Sequence, residues 1–172
     1  TWGFNYRLYH NKIYDGALLS FIPRDRINQL FSGYIRDEIT LIPERLKLTL
    51  GTRLDHNDFT GLEVQPNGRL MWTPNEQNSI WLAISRAVRT PSRAENDVLF
   101  NYGTQGKPPF LTVLQLNGSP HFNSEKLLAY EAGYRYQLAP QASIDIAAFY
   151  NDYSQLRDLT FDPRLGSFHA GI

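Results

Sequence analysis

Apolar and polar side chains alternate with a period of two along most of this chain, and this pattern limits its fold more than any other feature. In residues 126–138 one face of the segment has Leu128, Tyr130, Ala132, Tyr134, Tyr136 and Leu138, and the other has Ala129, Glu131, Gly133, Arg135 and Gln137. A period of two is typical of β-strands that have one apolar face. The pattern therefore predicts an all-β fold.

The alternating segments predict about seven long strands in an antiparallel up-and-down meander. We expect them at about residues 2–10, 30–42, 45–56, 63–73, 79–90, 124–138 and 142–156. Short turns, such as "APQ" at 139–141, alternate with longer connections, and residues 11–29 and 91–123 are predicted to be long loops. Short turns at one end and long loops at the other are typical of outer-membrane barrels. The chain is therefore predicted to be a segment of a transmembrane β-barrel.

The apolar faces have two interpretations, because they would meet either lipid or a protein core. A soluble β-barrel or sandwich that binds an apolar ligand would turn these faces inward. Three features favour lipid. The predicted strands have the roughly 9 to 11 residues of a membrane strand, their polar faces have charges well inside the strands, and Trp72, Trp81 and Tyr136 lie beside short turns, where an aromatic girdle would be.

Composition excludes several classes of partner and site. Lys plus Arg and Asp plus Glu are both 17, so there is no basic excess and we expect no nucleic-acid partner. The chain has no Cys, which excludes disulfides and thiolate metal sites. No run approaches the roughly 18 apolar residues of a membrane-spanning helix.

No group of residues predicts catalysis. His56 and His121 have Ser and Asp neighbours but no nucleophile motif, so a hydrolase that uses them is only a minor alternative and we expect no enzyme. "LDHND" at 54–58 could bind a metal, but Asx residues at a loop tip more often form turns. "GTQGKPP" lacks the spacing of a phosphate loop. We therefore expect no metal site and no cofactor.

Five segments, in order, resemble the TonB-dependent outer-membrane receptors, which are bacterial transporters for iron complexes, cobalamin and some sugars. The segments cover roughly residues 30–158 and read "SGYIRDEITL", "LKLTLGTRLDHNDFTG", "QPNGRLMWTPNEQNSIWLAISRAVRTPSR", "NSEKLLAYEAGYRYQL" and "SIDIAAFYNDYSQLRDL". The third is the most specific. The resemblance implies part of the C-terminal barrel region of such a receptor, in the outer membrane of a Gram-negative bacterium.

The same resemblance implies a larger protein. Receptors of this family have a plug inside a barrel of about 22 strands and an N-terminal segment that engages the TonB complex, and these residues show neither. We therefore expect a partial barrel that forms the passive wall of a transporter for an iron complex (siderophore) or similar scarce nutrient, energised through TonB. Outer-membrane lipid and lipopolysaccharide would surround it. In isolation, either its open strand edges would pair with other copies or the sheet would rearrange to hide the lipid face.

The resemblance also implies where function resides. Ligand contacts would come mainly from the plug and the long external loops, and the candidates here are Arg89, Arg93, Tyr102, Lys107 and His121. A second set, on the polar faces of neighbouring strands, predicts a charged wall that faces the lumen: Arg53, Arg69, Glu131 and Arg135. This wall would face a plug or an anionic substrate, or it would be held together by cross-strand ion pairs.

Arg86 does not fit the alternation. Strict alternation places it on the face of Ile80, Leu82 and Ile84, towards lipid. Either the side chain snorkels to the upper interface, or a β-bulge near Arg86 shifts the register.

Overall fold

The computed structural model describes residues 1–162 and 167–171. These residues form one short helix, α1 (Arg93–Asp97), and twelve strands: β1 (Trp2–Lys12), β2 (Leu19–Phe21), β3 (Asp25–Ile42), β4 (Leu46–Asn57), β5 (Gly61–Asn75), β6 (Asn78–Arg89), β7 (Val98–Lys107), β8 (Phe110–Asn117), β9 (Glu125–Ala139), β10 (Ala142–Ser154), β11 (Asp158–Asp162) and β12 (Ser167–Gly171). The all-β prediction is confirmed. Within the described ranges, no helix has both the length and the apolarity to cross a membrane.

The seven long strands form one antiparallel sheet in the order β1-β3-β4-β5-β6-β9-β10. The predicted meander is therefore confirmed, with β1 and β10 at the two open edges. Three short turns define the lower end of this sheet, at 43–45, 76–77 and 140–141. The upper end has the turn at 58–60 and the segment from α1 to β8.

The two segments predicted to be long loops contain regular structure instead. Within 11–29, β1 extends to Lys12, β2 forms, and β3 already begins at Asp25. Within 91–123, the chain forms α1, β7 and β8, and these strands belong to a second sheet in the order β11-β12-β8-β7-β2. Short strands such as β2 are stabilised by pairing with a distant partner, here β7. Local sequence does not show that pairing.

The register places the apolar side chains of neighbouring strands side by side. One row runs across five strands through Ile39, Leu48, Leu70, Leu82 and Ala132. We call this side of the sheet the apolar face and the opposite side the polar face. The apolar face is uncovered, since Leu82 is 52% exposed and Ile146 is 62% exposed. Among the described residues the buried apolar side chains are only Phe122 and Ala129, so the alternating faces do not enclose the core that a soluble barrel or sandwich needs.

The stretch "LDHND" forms the upper end of β4 and the start of a turn. Asn57 Oδ1 accepts hydrogen bonds from the backbone N–H groups of Phe59 and Thr60, each at 2.9 Å, and Gly61 follows with a φ of 73°. Asp58 Oδ2 accepts from the backbone N–H of Gln29 at 2.5 Å. Within the described part of the chain no group of three metal-ligating side chains forms. The Asx turn predicted from these residue types accounts for the stretch.

On the polar face, Gly133 lies directly opposite Trp81 in the β6–β9 pair. A Cβ atom at this position would overlap the indole ring of Trp81. The glycine therefore lets the indole lie flat on β9, where the guanidinium of Arg69 stacks on it at 4.9 Å from the ring centroid. This close approach requires a residue without a side chain.

We predict that Gly133→Ala destabilises the barrel by about 1–3 kcal/mol, because the added methyl group must displace Trp81. Thermal unfolding of the intact receptor in detergent measures the loss. Gly68→Ala is the matched control, since a Cβ there meets Leu50 Cδ2 at an ordinary 3.5 Å. Equal unfolding temperatures for the two variants would contradict the prediction.

Candidate functional site at the polar face and upper rim

Arg53 is held on the polar face by a carboxylate of its own strand. Its Nε donates to both oxygens of Asp55 at 2.9 Å, and its Nη2 donates to Ser32 Oγ at 3.4 Å. Gln65 on the neighbouring strand donates to Asp55 Oδ2 at 3.0 Å. Asp55 is only 8% exposed. This carboxylate therefore needs its donors, because an unpaired buried charge is costly.

Arg135 makes the cross-strand ion pair that one interpretation of the wall expects. It lies directly opposite Asp145, and the Nε–Oδ1 distance is 2.5 Å. Lys47 and Glu38 form a second such pair at 3.0 Å between β4 and β3. The side chains of both pairs are about half exposed. Each pair therefore contributes little to stability.

Arg69 and Glu131 differ from these paired residues. They share one row of the polar face, with Ala83 on β6 between them. Arg69 stacks on Trp81, and within the described ranges neither residue takes part in an ion pair. The wall therefore combines internally paired charges with charges that remain available to a partner.

Arg93, predicted to be a ligand contact, is enclosed by protein at the upper rim. Its guanidinium donates to the backbone oxygens of Asn11, Pro23 and Arg24 at 2.8, 2.5 and 2.8 Å. Its Nε lies 3.3 Å from Asp97 Oδ2, and the side chain is only 10% exposed. These bonds hold α1 against the connection between β1 and β3, which is a structural role.

Asp97 is the centre of this contact, although its role was not predicted. It is buried, and it accepts from Arg26 Nη1 at 2.5 Å as well as from Arg93. A signal for α1 is present in "SRAE", where Ser92 and Glu95 have the spacing of a capping box. In the structure the Ser92 side chain accepts from the backbone of Glu95, and the Glu95 side chain accepts from the backbone of Ser92.

Arg89 belongs to a group of two arginines and two glutamates on the upper rim. Its Nη1 donates to Glu125 Oε2 at 3.0 Å, and its Nη2 donates to Glu95 Oε1 at 3.1 Å. Arg157, which follows β10, lies against the same two carboxylates. Burial lowers the pKa of the Arg157 guanidinium, and the nearby positive charge of Arg89 lowers it further. The group joins the end of β6 and α1, which are close in sequence, to the start of β9 and the segment after β10, and beside it lies a cavity of about 570 Å³.

The other predicted ligand contacts, Tyr102, Lys107 and His121, are exposed. Tyr102 and Lys107 lie on β7, in the second sheet, and His121 precedes the buried Phe122. Arg89 and Arg93 instead lie at the base of the rim. The predicted ligand contacts therefore fall into two sets. Arg89 and Arg93 form ion pairs with carboxylates of the protein, and the other three residues have exposed side chains.

Arg86 lies in a continuous β6–β9 ladder, opposite Leu128, so no bulge shifts its register there. The β5–β6 ladder, in contrast, ends one residue earlier, at the pair of Asn67 and Ser85. The Arg86 guanidinium enters the space above that pair. It donates to the backbone oxygen of Val64, and its Nη2 lies 3.8 Å from Glu63 Oε2. Arg86 therefore satisfies its charge with polar groups of β5.

A long antiparallel sheet with one uncovered apolar face, one charged face and short turns at a single end is the wall of a membrane β-barrel. The sequence model described as "TonB dependent receptor-like, beta-barrel" matches residues 1–168, and the chain belongs to this family. Members of the family are transporters of the Gram-negative outer membrane rather than enzymes.

Solved structures share this fold. The ferric enterobactin receptor PfeA from Pseudomonas aeruginosa is 23% identical, with a TM-score of 0.72 over 86% of this chain and 23% of that one. The siderophore receptor PirA from Acinetobacter baumannii is 16% identical, with a TM-score of 0.68 over 86% and 24%. PirA from Pseudomonas aeruginosa is 21% identical, with a TM-score of 0.69 over 86% and 29%. No match was found among curated proteins. The chain spans about a quarter of the length of these receptors.

We predict that Arg93→Ala loosens the upper rim without weakening the lower sheet. Removing the guanidinium takes one of two cationic partners from the buried Asp97 carboxylate, at about 1–3 kcal/mol for a buried group left short of a donor, and it removes the bonds to the backbone oxygens of Asn11, Pro23 and Arg24. Limited proteolysis of the intact receptor should then show faster cleavage within residues 11–24. Arg135→Ala, which removes an exposed ion pair, is the control and should leave that cleavage rate unchanged.

Proposed function

We propose that this chain forms part of the wall of an outer-membrane transporter that takes up an iron–siderophore complex or a similar scarce nutrient, energised through TonB. The observation that carries the proposal is the family match over residues 1–168. It is supported by the similarity in fold to receptors described as siderophore receptors. In such a transporter the apolar face meets lipid and the polar face lines the lumen.

The polar face would act as a wall rather than as a reaction centre. Arg53 and Arg135 are engaged by carboxylates of the sheet itself, so they would stiffen the wall. Arg69 and Glu131 form no ion pair among the described residues. They would meet oppositely charged groups of a plug domain, which these residues do not include, or of the substrate as it passes.

The exposed rim would meet the ligand first. Tyr102, Lys107 and His121 are exposed there, and Arg89 is more exposed than either carboxylate that it binds. Cationic side chains at a pore mouth attract anionic complexes over several ångströms. Arg93 would contribute only by positioning α1.

Further partners follow from the same proposal. TonB would act on the plug and the N-terminal segment of the whole receptor. Lipid and lipopolysaccharide would surround the apolar face. In the intact barrel, neighbouring strands would cover the edges of β1 and β10, and an isolated copy of this chain would instead self-associate through them.

Uptake measurements test the function. A bacterial strain without other iron receptors, producing the intact protein, should grow on iron-limited medium supplied with at least one of a panel of ferric siderophores. Growth should require a functional TonB. Absence of growth with every ferric complex, while the protein is folded in the outer membrane, would contradict iron uptake.

We predict that Lys107→Ala weakens binding of the transported ferric complex by about tenfold, which corresponds to about 1.4 kcal/mol, because the rim loses an exposed positive charge. Fluorescence quenching of the purified receptor by the ferric complex measures the Kd. Lys126→Ala is the matched control, because Lys126 lies on the apolar face. Equal Kd values for the two variants would contradict a role for Lys107.

A further inference from the structure

The backbone ladder between β5 and β6 covers only the lower half of these strands. It contains seven residue pairs and ends with Asn67 opposite Ser85. The neighbouring β4–β5 and β6–β9 ladders contain twelve pairs each. Above Asn67, β5 continues to Gly61 bonded only to β4, and β6 continues to Arg89 bonded only to β9. We call this unpaired stretch, residues 61–66 with 86–89, the upper seam.

A proline lies directly above the last pair of this ladder. Pro66 is the first β5 residue above the last pair, and proline has no N–H group to donate. The same register would place Gln65 opposite Ala87 and Val64 opposite Val88, but these pairs do not form. The neighbouring ladders remain continuous on both outer sides of the seam.

Side chains close the upper seam in place of a ladder. Glu63 is 8% exposed and receives donors from the other side of the seam. Ser124 Oγ donates to its Oε1 at 2.6 Å, and Arg86 Nη2 lies 3.8 Å from its Oε2. Arg86 also donates to the backbone oxygen of Val64. One carboxylate therefore binds both a hydroxyl and a cation from the β6–β9 side.

The seam is also bounded from above. Arg93 of α1 donates to the backbone of Asn11 on β1, and Asp97 of α1 pairs with Arg26 on β3. These contacts hold α1 against the upper ends of β1 and β3. The unpaired stretch thus begins where the ladder ends at Asn67 and runs up to the end of β6, shortly before α1. The few side-chain contacts of Arg86 and Ser124 with Glu63, Val64 and Thr60 cost less to break than a cooperative ladder of backbone bonds.

We propose that the upper seam is a lateral gate in the barrel wall and that Glu63 is its latch. The gate opens when Arg86 and Ser124 leave the Glu63 carboxylate, while the ladder below Asn67 stays paired. The proposal rests on the proposed function only in treating the polar face as the lumen of a membrane barrel. It deepens that function, because it gives the upper wall a movement that a rigid barrel would lack.

Dipolar broadening in continuous-wave electron paramagnetic resonance spectra of the doubly labelled intact receptor in lipid, which reports short distances between spin labels, tests the gate. Spin labels at Val64→Cys and Val88→Cys span the seam. Labels at Leu70→Cys and Leu82→Cys span the ladder and are the control, because these two residues are directly paired and lie on the same face of the sheet as Val64 and Val88. This stretch has no natural Cys, and any elsewhere in the receptor would be replaced. We expect a distance distribution about twofold wider across the seam than across the ladder.

Glu63→Gln supplies the second arm, because it keeps the size of the side chain and removes its charge. We expect this variant to widen the distribution across the seam further and to leave the ladder pair unchanged. Equal widths at the two positions in the unsubstituted receptor would overturn the gate, even if Glu63→Gln does not fold. A wide seam that Glu63→Gln does not alter would overturn the role of Glu63 as latch. Neither readout depends on transport, so the gate and the transported ligand can fail separately.

Discussion

The sheet depends on the pairing of backbone hydrogen-bonding groups. Lipid offers no hydrogen bonds, so every N–H and C=O group at membrane depth must be satisfied within the protein. Five of the six interfaces in the seven-stranded sheet achieve this with eleven to thirteen residue pairs each. The sixth stops at Pro66, and there the guanidinium of Arg86 supplies a donor to a backbone oxygen.

Burial decides what each arginine of this chain does. Arg135 lies in an exposed pair and adds little to stability, whereas Arg93 is buried and holds three backbone oxygens and Asp97. Arg89 falls between these cases, since it shares two carboxylates with Arg157 but remains exposed. Ligand contacts are expected of the exposed cations, because Arg93 has four of its five N–H donors bonded to the protein and its side chain is only 10% exposed.

The sequence predicted the long strands, their two faces and the positions of the short turns, because alternation is a local property that each strand shows by itself. It did not predict the strands within 91–123. That segment is rich in Gly and Pro, and β7 and β8 are stabilised by partners from other parts of the chain. For the same reason Arg93 was expected to face a ligand. The three backbone oxygens that it binds lie 69 to 82 residues away along the chain.

The sequence by itself determined an all-β membrane wall with one apolar and one charged face. Successive side chains of a strand point to opposite faces, so the alternation of residue types defines both faces. The sequence left Arg86 with two explanations. The tertiary structure excluded the β-bulge, because the ladder to β9 is continuous, and it showed a third arrangement, in which the Arg86 guanidinium binds Val64 and Glu63 of β5 where the β5–β6 ladder has ended. It also showed which charged side chains form ion pairs among the described residues. Ion pairs depend on distances between segments, and these distances cannot be read from the sequence.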